Sequence, residues 1–214
     1  MAKKMDMTKL DRIREASVEI ISEHGILNSS VASIAERAGV SVGYLYRHYP
    51  GKVDLINDLL EDALRTITDR IYALADETND IRKIVRGIVE FIIESAATNR
   101  PKHKFLIMLL NDFSVEINPD IRERIRSIGD TLIAVEIKPE SRKRIIEIGE
   151  VLLETGQKNH TVRGDISVND LYIALVGIPM QYLASRYKFG FGDETGDQRR
   201  LIEKITAISL SAIQ

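Results

Sequence analysis

Apolar residues in the first part of the chain recur at helical spacing. Leu10, Ile13, Ser17, Ile20 and Ile21 fall on one face, and Gly25 supplies a stop after His24. Val31, Ile34, Ala35 and Ala38 form the inward stripe of a second helix, which Ser29 or Ser30 can cap and Gly39 can end. Ser41 can cap a third, short helix over about 42–49, and Pro50-Gly51 then breaks the chain. A long helix is predicted over roughly 52–75, with Ile56, Leu59, Leu60, Ala63, Ile67, Ile71 and Leu74 in register. From Asp80 onward the same periodicity predicts helices over about 80–98, 102–115, 119–135, 140–155, 168–189 and 197–213. Pro101, Pro119 and Pro139 lie at or near helix starts, where the missing amide proton costs little. Residues 156–167 read as a polar loop and 190–196 as a glycine-rich one.

No stretch alternates as a strand does, so the pattern predicts an all-α fold. It divides most simply into a three-helix head at 1–52, a connecting helix at 53–75 and a helical body at 76–214. With 44% hydrophobic residues in 214, the chain can bury a sizeable core, which excludes a disordered protein. The absence of cysteine removes disulfides, thiolate metal sites and cysteine nucleophiles, and fits a reducing cytoplasm. The N-terminus shows no apolar signal core, and no apolar run approaches the roughly 18 residues of a membrane span. A cytoplasmic protein with no membrane partner is therefore expected.

A net charge of -2 argues against a protein that coats nucleic acid indiscriminately. The charge is uneven, however: residues 1–52 carry a net +2 and the remainder a net -4. That sign suits a DNA-binding head on a neutral-to-acidic body.

The head also holds the segment with chemistry. Gly39 can take the left-handed conformation that a sharp turn between two helices needs, and Val40 can plug the angle between them. This is a helix-turn-helix arrangement, in which the second helix enters the major groove. Leu45 and Tyr49 are four apart and can face inward, leaving Val42, Gly43, Tyr44, Tyr46, Arg47 and His48 on the other face. The hydroxyls, Arg47 and His48 can donate to phosphates, and Arg47 can pair with a guanine edge. Gly43 removes a side chain where backbone can approach DNA. Lys52 is a cation near a helix start, where it opposes the helix dipole, and a phosphate there would satisfy both.

The run Ile34-Ala35, Ala38-Gly39-Val40-Ser41, Gly43, Leu45-Tyr46, His48-Tyr49, Lys52 and Leu55 resembles the DNA-binding domain of the TetR/AcrR family of repressors. The likeness covers about the first 65 residues; beyond it only helix number, length and order agree. It implies a homodimer joined through the last two helices, and a body that binds a small effector and releases DNA. Carried over by position, Tyr44, Tyr46, His48 and Lys52 become phosphate or groove contacts, with Val42, Gly43 and Arg47 nearer the bases. The candidate DNA-binding set is Ser30, Ser33, Ser41, Val42, Gly43, Tyr44, Tyr46, Arg47, His48 and Lys52. There are departures. Tyr44 stands where the family usually has a small hydroxyl residue, Gly51 replaces a Ser or Asn cap, and Val42 replaces a polar base reader.

Phe91, Phe105, Met108, Phe113 and Met180 are candidate lining for an effector cavity, although such residues at helical spacing are more often core. An apolar lining would take a lipophilic or amphipathic effector. Leu171, Leu175, Ile178, Leu183, Ile202, Ile205, Ile208 and Leu210 on the last two helices are either intrachain packing or the dimer surface. Gly39-Val40-Ser41-Val42-Gly43 matches the G-x-S-x-G pattern, but a helix precedes it where a nucleophile elbow needs a strand. His24, His48, His103 and His160 have no metal-ligand spacing. No cofactor, metal or catalytic residue is expected.

Three functions can be weighed. The first is an effector-responsive repressor. The second is a DNA-binding dimer that positions a protein partner, with an architectural or cell-division role. The third, an enzyme housed in the body, has no nucleophile–base pair or paired carboxylates to support it.

Overall fold

The computed structural model describes residues 8–112, 138–189 and 197–214. Every element among them is helical. The head comprises α1 (Lys9–Asn28), α2 (Val31–Ala38) and α3 (Val42–His48). The long α4 (Lys52–Glu77), then α5 (Ile81–Thr98) and α6 (Arg100–Asp112), follow. After the undescribed stretch come α7 (Pro139–Lys158), α8 (Val168–Tyr172), a π-helical turn (Ile173–Gly177), α9 (Ile178–Phe189) and α10 (Gln198–Ser211). The expected helix over 119–135, Phe113 and the glycine-rich 190–196 lie outside the described residues.

Local rules account for the head's element ends. Thr8 caps α1 through a reciprocal pair with Asp11, and Gly25, at φ 81° and ψ 162°, breaks the helix where the sequence predicts a stop. Ser30 caps α2 through the amide and hydroxyl of Ser33. Gly39 takes the left-handed conformation, φ 65° and ψ 40°, and Ser41 caps α3 by accepting the Tyr44 amide. The helix read over 168–189 contains the π-helical turn, which local spacing in the sequence does not mark.

The chain divides into two compact units. Among the described residues, the first comprises 8–61 and 101–112. One cluster in it gathers Ile13, Ala16 and Ile20 of α1, Ile34, Ala35 and Ala38 of α2, then Leu45, Tyr49 and Leu55. Val40 packs against this cluster, as a plug between α2 and α3 should. A second cluster joins Ile21, Ile26, Ile56 and Leu59 to Phe105 of α6.

Among the described residues, the second unit comprises 62–100, 138–189 and 197–214. Its spine is α5, which buries Ile81, Ile84, Val85, Ile88, Val89, Ile92 and Ile93 and packs along α10, α9 and the π-helical turn. Glycines set the closest approaches. A Cβ on Gly149 would stand 2.5 Å from Val168 Cγ1, which brings α7 against α8. At the end of α7, the Gly156 carbonyl accepts the amides of Thr161 at 2.8 Å and Val162 at 3.1 Å.

That corner generates a stability prediction. A Cβ on Gly156 would stand 2.5 Å from Val162 Cγ2 and 3.1 Å from Val162 Cβ, so rotation of one side chain cannot clear it. Gly156→Ala is expected to lower unfolding stability by about 1–3 kcal/mol, read by chemical denaturation. A variant as stable as the parent would contradict this packing.

Candidate nucleic-acid interface

The outward face of α3 is held by its inward one. Leu45 is fully buried and Tyr49 is 7% exposed, so both point into the head as their spacing predicts. The Tyr49 hydroxyl donates to Asp58 Oδ2 at 2.8 Å. Arg14 of α1 donates to the same carboxylate through Nε at 2.7 Å and Nη2 at 3.2 Å. One carboxylate of α4 thus ties α1 to the end of α3. Burial pushes the Tyr49 phenol up to about 12, and the bond to anionic Asp58 pushes in the same direction.

With α3 so fixed, Val42 (40% exposed) and Tyr46 (50% exposed) project outward beside exposed Arg47 and His48. A large apolar and a large aromatic side chain are both left in water on a helix of seven residues. Nothing lies within 4 Å of the position a Gly43 Cβ would take, so the backbone there is open to approach. Ser30, Ser33 and Ser41 serve as helix-start caps; Ser30 and Ser41 are exposed and Ser33 is half-buried.

Two candidate residues have other partners. Tyr44 is half-buried against the head core. Its ring lies 4.8 Å from the His48 ring, with Lys9 Nζ 5.0 Å and Arg47 Cζ 5.4 Å from its centroid. Lys52 donates to the carbonyls of Ile26 at 2.7 Å and Ser29 at 3.0 Å, so it closes the end of α1 instead of standing free at the start of α4.

Sequence reasoning missed Lys9, Arg14 and Asp58. Asp58 is only a polar position flanking the stripe of Leu55, Ile56 and Leu59, and its partners lie 9 and 44 residues away.

The candidate effector lining does not converge. Phe105, 1% exposed, and Met108 belong to the core of the first unit. Phe91, half-buried on α5, and Met180, 2% exposed on α9, belong to the second. The second unit instead holds a narrow apolar cavity of about 20 Å³, lined among others by Thr68, Ile71, Ile148, Leu152, Leu171 and Tyr172. Burial raises the Tyr172 phenol above its ordinary value. No helix among the described residues is long and apolar enough to cross a membrane.

Fold and head together define a protein that is helical throughout its described elements and presents a helix-turn-helix. Residues 13–59 match the family model described as bacterial regulatory proteins, tetR family. Over those residues the head is similar to the tetR family of bacterial regulatory proteins.

Among curated proteins, the nucleoid occlusion factor SlmA of Vibrio cholerae is 28% identical over 100 residues, covering 46% of this chain and 51% of that protein. SlmA of Actinobacillus pleuropneumoniae is 30% identical over 100 residues, covering 46% and 50%. Each match thus spans about half the length of the curated relative.

Among solved structures, a TetR-family regulator from Marinobacter aquaeolei superposes with a TM-score of 0.68 at 18% identity, covering 96% of this chain and 95% of that one. FadR of Bacillus subtilis, solved in complex with stearoyl-CoA, gives 0.66 at 18% identity, covering 95% and 98%. These two likenesses are of fold.

The carboxylate knot predicts a measurable titration. One tyrosine should ionise at about 12 in an alkaline ultraviolet titration and vanish from it in Tyr49→Phe. The phenol's contribution to stability is intact below the unfolded value of about 10 and is lost as pH rises through the folded one. At neutral pH the variant should lose about 1–2 kcal/mol of unfolding stability. Wild-type stability together with an unchanged titration would contradict the knot.

Proposed function

We propose that this chain is an effector-responsive DNA-binding transcription regulator, a repressor that leaves a palindromic operator when a small, mostly apolar effector binds its body. The observation that carries the reading is the outward face of α3, where Val42 and Tyr46 stand in water beside exposed Arg47 and His48. In the major groove, Arg47 suits a guanine edge and Val42 a thymine methyl, while Tyr46 and His48 reach phosphates. Gly43 lets the backbone come close. Ser30, Ser33 and Ser41 present hydroxyls at the helix starts. Lys52 serves first by holding the end of α1.

One such head binds weakly, so two act together in a homodimer formed by the last two helices. Leu171, Leu175, Leu183, Ile202 and Ile205 are buried within their own chain. Among the described residues, Ile173 and Ile208, 46% and 40% exposed, are apolar residues there that a second copy would cover. The apolar cavity of the second unit, at about 20 Å³, has room for about one water and would have to widen to admit an effector. The fold likeness to a FadR solved with stearoyl-CoA supports a long acyl compound as the first to try.

A second reading is a DNA-binding dimer that works through a protein partner. The matches to nucleoid occlusion factors favour it. Capture of a protein only by the DNA-bound form, with no acyl compound able to release DNA, would choose it over the first.

The test is affinity measured over a panel of DNA sequences. Tyr46→Ala is expected to weaken binding to all sequences alike. Arg47→Ala is expected also to relax the preference at one base pair by about 1–3 kcal/mol. Wild-type affinity and preference in both variants would sink the assignment of this face.

A further inference from the structure

We infer that Lys9, on α1 and outside the recognition helix, is a phosphate-contacting cation of the head, and that Tyr44 is the positioning residue that holds Lys9 for that contact. The inference rests on the DNA-binding reading above.

The head disposes of its positive charges in two ways. Arg14 is bound through two nitrogens by Asp58. Arg37 pairs with Glu19 at 2.8 Å and Glu23 at 3.7 Å. Lys52 is held by two carbonyls. Lys9 and Arg47 differ: both are exposed, and neither pairs with a carboxylate among the described residues. Both instead approach one ring, that of Tyr44, at 5.0 and 5.4 Å from its centroid. The ring's negative face attracts each cation. Because Tyr44 is wedged against the head core, a cation lying on it is placed relative to α3.

Two cations at one ring repel each other unless an anion joins them, so the arrangement is complementary to a phosphate. Lys9 is also a poor local choice, because it is the first residue of α1, where a cation opposes the helix dipole. The nearest acid, Asp11, is engaged elsewhere. It accepts from the Thr8 hydroxyl at 2.6 Å and amide at 3.2 Å, which hold its carboxyl below the usual range, and it lies 3.8 Å from Arg14. The unusual size of Tyr44 follows. A small hydroxyl residue could only make its own contact, whereas the ring recruits a cation from 35 positions upstream.

The experiment measures DNA affinity of the full chain against salt concentration. Lys9→Gln is expected to reduce the slope of log affinity against log salt by about 0.9 for each head, with sequence preference unchanged. At one head, that is a loss of roughly 3.5-fold of the wild type's advantage between 50 and 200 mM salt. Tyr44→Phe, which keeps the ring, should retain the wild-type slope, and Tyr44→Leu should lose slope as Lys9→Gln does. Arg37→Gln, altering a cation already neutralised by Glu19, should leave the slope unchanged. A wild-type slope in Lys9→Gln would overturn the inference, as would a Tyr44→Phe variant as defective as Tyr44→Leu. A wild-type chain that binds no DNA at any salt concentration sinks the functional reading itself.

Discussion

The head is organised around the Asp58 carboxylate. A helix of seven residues cannot hold its shape in water, because nucleating a helix costs more than so few hydrogen bonds return. Its position must come from outside, and Asp58 provides it. The carboxylate takes the Tyr49 hydroxyl from the end of α3 and two nitrogens of Arg14 from α1. The neighbouring turns of α4 complete the frame. Lys52 closes the end of α1 beside the cap of α2, and Leu55 and Ile56 are wholly buried beneath the helices they support. The first two turns of α4 therefore hold each of the other helices of the head. The exposed face of α3 is a consequence of that frame, since its inward residues are fully engaged.

The division of charge follows the same logic. Carboxylates are placed where cations must be immobilised for structure, at Arg14 and Arg37. They are absent beside Arg47 among the described residues, where a cation is useful only if an anion arrives from outside. A head with this asymmetry can bind a polyanion without first breaking an internal ion pair.

Much of the head was legible in the sequence, because its rules act over three or four residues. Ser29 or Ser30 as the cap of α2, Ser41 as the cap of α3, Gly39 as a left-handed turn, Val40 as a plug, and Leu45 with Tyr49 as the inward pair all follow from local spacing, and the structure has them so, with Ser30 as the cap of α2. What could not be read is whatever depends on partners distant in the chain. Lys52 reads as a phosphate ligand until carbonyls 23 and 26 residues away come within reach. Tyr44 reads as a simple contact until Lys9 arrives over its ring. In the body, periodicity marks helices but not which faces meet. Phe105 has the spacing of a cavity residue yet fills the core of the first unit. The cavity itself is built from Thr68, Gly149 and Tyr172 with aliphatic neighbours. Gly149, a glycine inside a helix, stands where a Cβ would meet Val168.

The central claim is that two such heads read a specific DNA sequence. The most direct measurement is selection of binding sites from random double-stranded DNA by the purified full chain, at roughly physiological salt, because phosphate-driven affinity falls steeply with ionic strength. The account predicts enrichment of an inverted repeat whose half-sites lie about one or more helical turns apart. Binding that ignores sequence and disappears as salt rises, with no repeat enriched, would contradict it.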